Sequence, residues 1–179
     1  MRVRTTILFA LSLGLLLAAA PGRAQAPSIY QLKAAFLYNF AKFIDWPPEK
    51  FPDDKAPFII GILGDNPFGA DLERTVADKK INNRPITIVS FHTAAEATNC
   101  CILFISTSEK KSLPEIMAQL RGTSVLTVGE TEQFIEAGGM VNFVQVASKI
   151  RFQINDEAAK AARLKISSKL LSLAVPASH

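Results

Sequence analysis

The sequence predicts an α/β fold. It is read as a three-layer sandwich around a mostly parallel, flavodoxin- or Rossmann-like sheet, with an antiparallel strand pair toward one edge. Three observations predict it. From Phe58 onward, short runs of Ile, Val, Leu and Phe alternate with amphipathic or turn-forming segments, the order that builds a parallel sheet covered by helices. Several of these runs are almost continuously apolar, as strands buried on both faces are. The last two, Met140 to Val146 and Lys149 to Ile154, flank a tight turn and read as a pair. Composition agrees with one globular domain. The chain has 179 residues, 49% of them hydrophobic, with 20 Lys+Arg against 16 Asp+Glu. High apolar content and low net charge exclude a disordered chain. Two cysteines cannot make a disulfide-stapled miniprotein. One long apolar run excludes a multi-span membrane protein.

That run lies at the start. Residues 1–26 read as a secretory signal peptide: Arg2 and Arg4, an apolar stretch from Thr5 to Ala20, a break at Pro21-Gly22, then Ala24-Gln25-Ala26 as an Ala-x-Ala cleavage site. Pro27 disfavours a cut after Ala26 and leaves Ala24 and Ala20 as alternatives. An uncleaved anchor is the competing reading, but the run is short of the roughly 20 residues a span needs. Removing residues 1–26 takes away three arginines and no acid, leaving 17 basic and 16 acidic residues. The apparent basicity therefore belongs to the export segment. The remaining domain, residues 27–179, has no electrostatic case for nucleic acid. Its expected location is the periplasm.

The elements follow in order. Tyr30 to Asp45 is an amphipathic helix with Ile29, Leu32, Phe36, Phe40 and Phe43 at steps of three and four, widened by Leu37 and Ile44. Lys33 and Lys42 fall outside the stripe. Trp46-Pro47-Pro48 stops it, because proline lacks the N–H and restricts the residue before it. Phe58 to Leu63 is a buried strand, Gly64 to Pro67 a turn, and Ala70 to Lys80 a helix. Pro85 to Phe91 is a second strand, Thr93 to Thr98 a short helix or turn, and Cys101 to Ile105 a third strand. Ser112 to Leu120 is a helix that tolerates Pro114 in its first turn. Ser124 to Val128 is a fourth strand, and Thr131 to Ala137 a short helix ended by Gly138-Gly139. Asn155 caps a helix through Arg163, with Asp156 and Glu157 in its first turn. Ser167 or Ser168 caps a last helix containing Leu170, Leu171 and Leu173.

Chemistry-bearing residues are sparse. His92 and His179 are the only histidines, so a nucleophile–base pair would have to use His92, which reads as a strand-end surface residue. Cys100-Cys101 is not a spaced metal-ligand pair. Side-chain alternation sends the two thiols to opposite faces, with one expected buried and one partly exposed. Gly61 to Gly69 follows a strand and opens a helix, but it lacks the glycine pattern and Lys-Ser/Thr of a phosphate loop. It reads as a turn, with Asp65 and Asn66 as candidate contacts for a small anion or a partner. Glu130 and Glu132 follow the fourth strand, where open α/β sheets place ligands. Arg151 sits in a strand between Ile150 and Phe152 and faces away from both. The aromatic stripe of the first helix reads first as core and second as a partner-binding face. Candidate partner or ligand contacts are thus Phe36, Phe40, Trp46, Asp65, Asn66, Arg151 and Lys165. No catalytic set, cofactor site or metal site emerges.

Tyr30-Gln31-Leu32-Lys33-Ala34-Ala35-Phe36-Leu37-Tyr38-Asn39-Phe40-Ala41-Lys42-Phe43-Ile44-Asp45-Trp46-Pro47 resembles the opening signature of the YfiR-like proteins. Ile62 to Gly69, Ile102 to Ser106, Gly138 to Phe143, Ile150 to Asn155 and Leu164 to Ala174 are similar to further family segments, in order over nearly the whole domain.

The resemblance implies a non-enzymatic α/β regulator. The best-known member is a periplasmic inhibitor of an inner-membrane diguanylate cyclase. It binds the cyclase's periplasmic sensor region and lowers cyclic-di-GMP, and so biofilm formation. An outer-membrane lipoprotein draws it away. Related domains are joined to sensor kinases, and members form homodimers. That member also has two disulfides. Cys100 matches one of its cysteines, but the position of the bonding partner is Gly61 here, and the second pair falls at Ile135 and Asn142. A periplasmic module binding a small solute for a sensor kinase or transporter is the alternative function.

Overall fold

The computed structural model describes residues 26–176. The export segment, apart from Ala26, and His179 lie outside the described residues. Helix α1 (Ile29–Phe43) is followed by a two-residue strand β1 (Ile44–Asp45), then β2 (Phe58–Leu63), α2 (Asp71–Val76), β3 (Lys80–Ile81) and β4 (Arg84–Phe91). Next come β5 (Ile102–Ile105), α3 (Leu113–Leu120), β6 (Leu126–Gly129), β7 (Val141–Val146) and β8 (Lys149–Ile154). The chain closes with α4 (Asp156–Ala161), β9 (Lys165–Ile166) and α5 (Ser168–Leu171).

The sheet has the order β3-β4-β2-β5-β6-β7-β8. Its five central strands are parallel and β3 and β8 are antiparallel edges. Taken in chain order, the parallel strands run 2-1-3-4-5, the flavodoxin-type arrangement. A separate antiparallel pair joins β1 to β9. Side chains alternate between two cores. Phe58, Ile60, Ile62, Ile102, Phe104, Leu126 and Val128 face α1 and α2, while Leu63, Leu103, Ile105 and Val125 face α3 and Phe134. These are the outer layers of the expected sandwich.

Four elements differ from expectation. The inward face of α1 runs through Lys33, Ala34, Leu37, Phe40 and Ala41, while Ile29 is 48% and Leu32 40% exposed. Alanines let the helix lie close to the sheet, so the face is set by small residues as well as by the large aromatic ones. The helix ends at Phe43 because Ile44 and Asp45 pair with Ile166 and Lys165. The helix from Ala70 stops at Val76: Asn82 and Asn83, both at positive φ, form a two-residue hairpin loop that claims Lys80 and Ile81 for β3. Thr131 to Ala137 is a series of turns, with Gln133 at φ 61° and Phe134 tucked under the chain. The last helix is a single turn capped by Ser167, and Leu173 is exposed beyond it.

Candidate functional site

In open α/β sheets, ligands settle outside the carboxyl ends of the strands where strand order reverses. Here that point lies between β2 and β5, and the chain's own residues close it. Gly64, at φ 85°, turns the backbone so that the Asp65 N–H donates to Ser108 Oγ at 3.0 Å. Asn66 Oδ1 accepts from the Phe68 N–H at 2.9 Å, and the Phe68 ring drops edge-on against Phe104 and Tyr30. The segment is a turn, as the sequence indicated, with Asp65 and Asn66 exposed on its surface.

The first half of α1 is fastened over this end of the sheet. Ser28 caps the helix in a capping box with Gln31. Ser28 Oγ and Gln31 Nε2 both donate to Asp71 at the start of α2, each at 3.2 Å. Desolvation acts upward on the Asp71 carboxyl, but the bonds from Gln31, Arg74 and Ser28 outweigh it and hold it below the usual range. Tyr30 OH donates to Glu130 Oε1 at 3.2 Å, and Lys33 pairs with Glu130 Oε2. The Lys33 ammonium also lies 4.8 Å from the Tyr30 ring centroid. Burial first, and the Glu130 charge and hydrogen bond second, raise the Tyr30 hydroxyl above its ordinary value. The sequence reading placed Lys33 outside the stripe and gave Glu130 only its position. The missed signal was the pair of small residues Ala34 and Ala41, which are buried on the same face as Lys33.

A second feature lies at the other end of α1. Trp46 Nε1 donates to Cys101 O at 3.1 Å, and its ring meets Phe58 edge-on at 4.9 Å. That fixed indole and the β1–β9 ladder, where Asp45 faces Lys165, wall a cleft of about 450 Å³. Lys160 and Arg163 line it too, but each is paired, with Asp156 at 2.6 Å and Glu49 at 2.5 Å. The cleft thus joins two sequence candidates, Trp46 and Lys165, with the Asp45 carboxylate on the same wall.

The other candidates are scattered. Phe40 is fully buried and Phe36 half-buried, in one aromatic cluster with Phe143 and Phe152 at centroid distances of 5.2–6.2 Å. Phe40 therefore has no surface to offer a partner. Arg151 is exposed on β8 opposite Val144. Cys100 and Cys101 face opposite cores, as alternation indicated, and both are free. The expectation that one is partly exposed is corrected: both are buried, Cys101 in the core packed under α1 and Cys100 in the core packed under α3. Burial pushes the Cys100 thiol up to about 12 and raises Cys101 as well. His92 is exposed, its backbone N–H donating to Glu96 Oε2 at 3.1 Å. Among the described residues, no group of three His, Cys, Asp or Glu is placed to hold a metal ion, and no helix is long and apolar enough to cross a membrane.

Residues 30–175 match the model of a family described as YfiR/HmsC-like. No curated protein matches the chain.

Proposed function

From the chain's membership in the YfiR/HmsC-like family, we propose that it is a periplasmic signalling regulator. In this reading it binds the periplasmic sensor region of an inner-membrane diguanylate cyclase, inhibits it and lowers cyclic-di-GMP. The observation that carries the reading is the family match from Tyr30 to Val175, which spans α1, the whole sheet and the C-terminal helices. The apolar, arginine-led start of the sequence supports export. The family's role is regulatory, and we assign no reaction. Exposed Arg151 and the Asp65-Asn66 turn are the proposed partner contacts; release by an outer-membrane lipoprotein and assembly as a homodimer belong to the same reading.

The test is cellular cyclic-di-GMP with and without the gene. Deletion should raise it, and the exported protein, not a version lacking residues 1–26, should restore it. The purified domain should also co-purify with the periplasmic region of a cyclase. Unchanged cyclic-di-GMP together with no such binding would sink the proposal.

The Trp46–Lys165 cleft favours a second reading, a solute-binding module serving a sensor kinase or transporter. Bound solute stabilises the folded state by RT ln(1 + [L]/Kd), so a screen of small solutes by thermal shift separates the two.

A further inference from the structure

A second cleft adjoins the short turn Pro48–Lys50. Pro48 lines the Trp46–Lys165 cleft, whereas Lys50 lines this one, of about 420 Å³. It runs across the end of the sheet where β2 and β5 begin, at the point where the Cys101 N–H donates to Ile59 O at 2.8 Å. Its walls are fixed by hydrogen bonds. Asp53 Oδ1 accepts the Lys55 and Ala56 N–H groups, each at 2.7 Å, and so folds residues 53–56 into a turn. Arg84, at the start of β4, donates to Asp53 O at 2.6 Å and to Ala56 O at 3.0 Å. Its guanidinium also lies 4.1 Å from the centroid of the Phe51 ring. One arginine thus anchors the segment that gives the cleft its apolar wall, Phe51, Pro52 and Pro57. A wall held in place before a ligand arrives lowers the ordering cost of binding.

Lys50 is the charge in this cleft that lacks an opposite one. It is half-buried, and its ammonium donates to Thr98 O at 3.0 Å. An ammonium has three N–H bonds, and the other two have no protein acceptor among the described residues. The acids nearby are committed elsewhere: Glu49 to Arg163, Asp53 to backbone N–H groups, and Asp54 toward Arg84 at 3.9 Å. Burial holds the Lys50 ammonium below its ordinary range, so the charge is poorly solvated where it stands.

We propose that this cleft binds a small monocarboxylate with a compact apolar body, the carboxylate accepting from Lys50 Nζ and the body lying against Phe51, Pro52 and Pro57. A second charge on the ligand would meet the apolar wall, and a neutral ligand would leave the cation as it is, so the site selects against both. The experiment contains this chain and a probe alone, so its outcome is independent of the cyclase reading.

The probe is cyclohexanecarboxylate, titrated into the isotopically labelled mature protein. Backbone amide signals of Lys50, Ile59 and Asn99 should move saturably in the millimolar range. Acetate has the charge without the body and cyclohexylmethanol the body without the charge. Each should bind about tenfold or more weakly. Lys50→Met keeps the stem, removes the ammonium and should weaken the carboxylate to the same extent. No saturation, equal binding by either control or full binding by Lys50→Met overturns the proposal. Shifts confined to Trp46 and Lys165 overturn it too, by placing the carboxylate in the neighbouring cleft. Should Lys50→Met not fold, the map of shifts in the parent chain and the two controls decide.

Discussion

Lys33 on α1 and Glu130 at the end of β6 form an ion pair with side chains only 9% and 8% exposed, and Tyr30 completes it through its hydroxyl. Two charges at that depth are costly to desolvate, so removing one strands the other. Glu130→Gln or Lys33→Met is expected to cost about 3–5 kcal/mol in urea unfolding at neutral pH. The double variant Lys33→Met/Glu130→Leu should recover most of that loss. A double variant as unstable as the sum of the singles would show that the pair is not what holds α1 to the sheet.

The thiols give a chemical readout of burial. With Cys100 raised to about 12 and Cys101 raised as well, a thiol reagent at pH 8 should label neither in the folded protein and both in urea. The same shift sets a pH window. The folded state holds these protons more tightly than the unfolded chain, so their contribution is intact below about pH 9 and is lost as pH rises toward 12. The Tyr30 shift has the same sign and adds to the loss above about pH 10. Urea midpoints between pH 8 and 11 should fall steadily.

Phe134 is clamped between two glycines. A Cβ at Gly129 would lie 2.3 Å from its ring, and one at Gly139 would lie 2.2 Å from the ring and 2.6 Å from the Phe134 carbonyl. Gly139→Ala is expected to destabilise by about 1–3 kcal/mol through overpacking. Gly122 should not be used as the comparison, since its positive φ strains any side chain there.

The cleft separates structure from binding. Trp46→Ala removes both the hydrogen bond to Cys101 and the packing on Phe58, and should cost about 3 kcal/mol or more. Lys165→Ala, at an exposed position, should stay within about 0.5 kcal/mol of the parent. It should abolish any thermal shift produced by a small solute. A shift that survives Lys165→Ala places the solute elsewhere.

The sheet was legible because its strands announce themselves. Phe58 to Leu63 and the pair around Ala147-Ser148 match to within a residue or so, since apolar runs bounded by turn residues admit few alternatives. The orientation of α1 was legible in part. Leu37, Phe40 and Ile44 of the expected stripe are buried and Phe36 and Phe43 pack against the core, but Ile29 and Leu32 are exposed, and the buried face extends instead to Ala34, Ala41 and Lys33. Local sequence could not show that Glu130, about a hundred residues away, waits there to neutralise it. The turns after Val76 and around Phe134 depend on positive φ at Asn82, Asn83 and Gln133, which helix propensity does not anticipate. Of the candidate site, Trp46 and Lys165 were visible as single residues. Their shared cleft needed the β1–β9 pairing, a contact between distant ends of the chain.

The gap at Gly61 carries a consequence of its own. At Gly61, where the resemblance would set a cysteine to bond with Cys100, this chain has no side chain, and the space above it is taken by Phe91 Cε2 and Leu103 Cδ1, which would lie 2.7 and 2.9 Å from a Cβ. Hydrocarbon occupies the position of a covalent bridge. Cys100, buried in the same core, is left without an oxidation partner there. This domain is therefore expected to keep the same fold and the same melting temperature in oxidising and reducing buffer. The stability of the domain at this point does not report the oxidant supply of its surroundings.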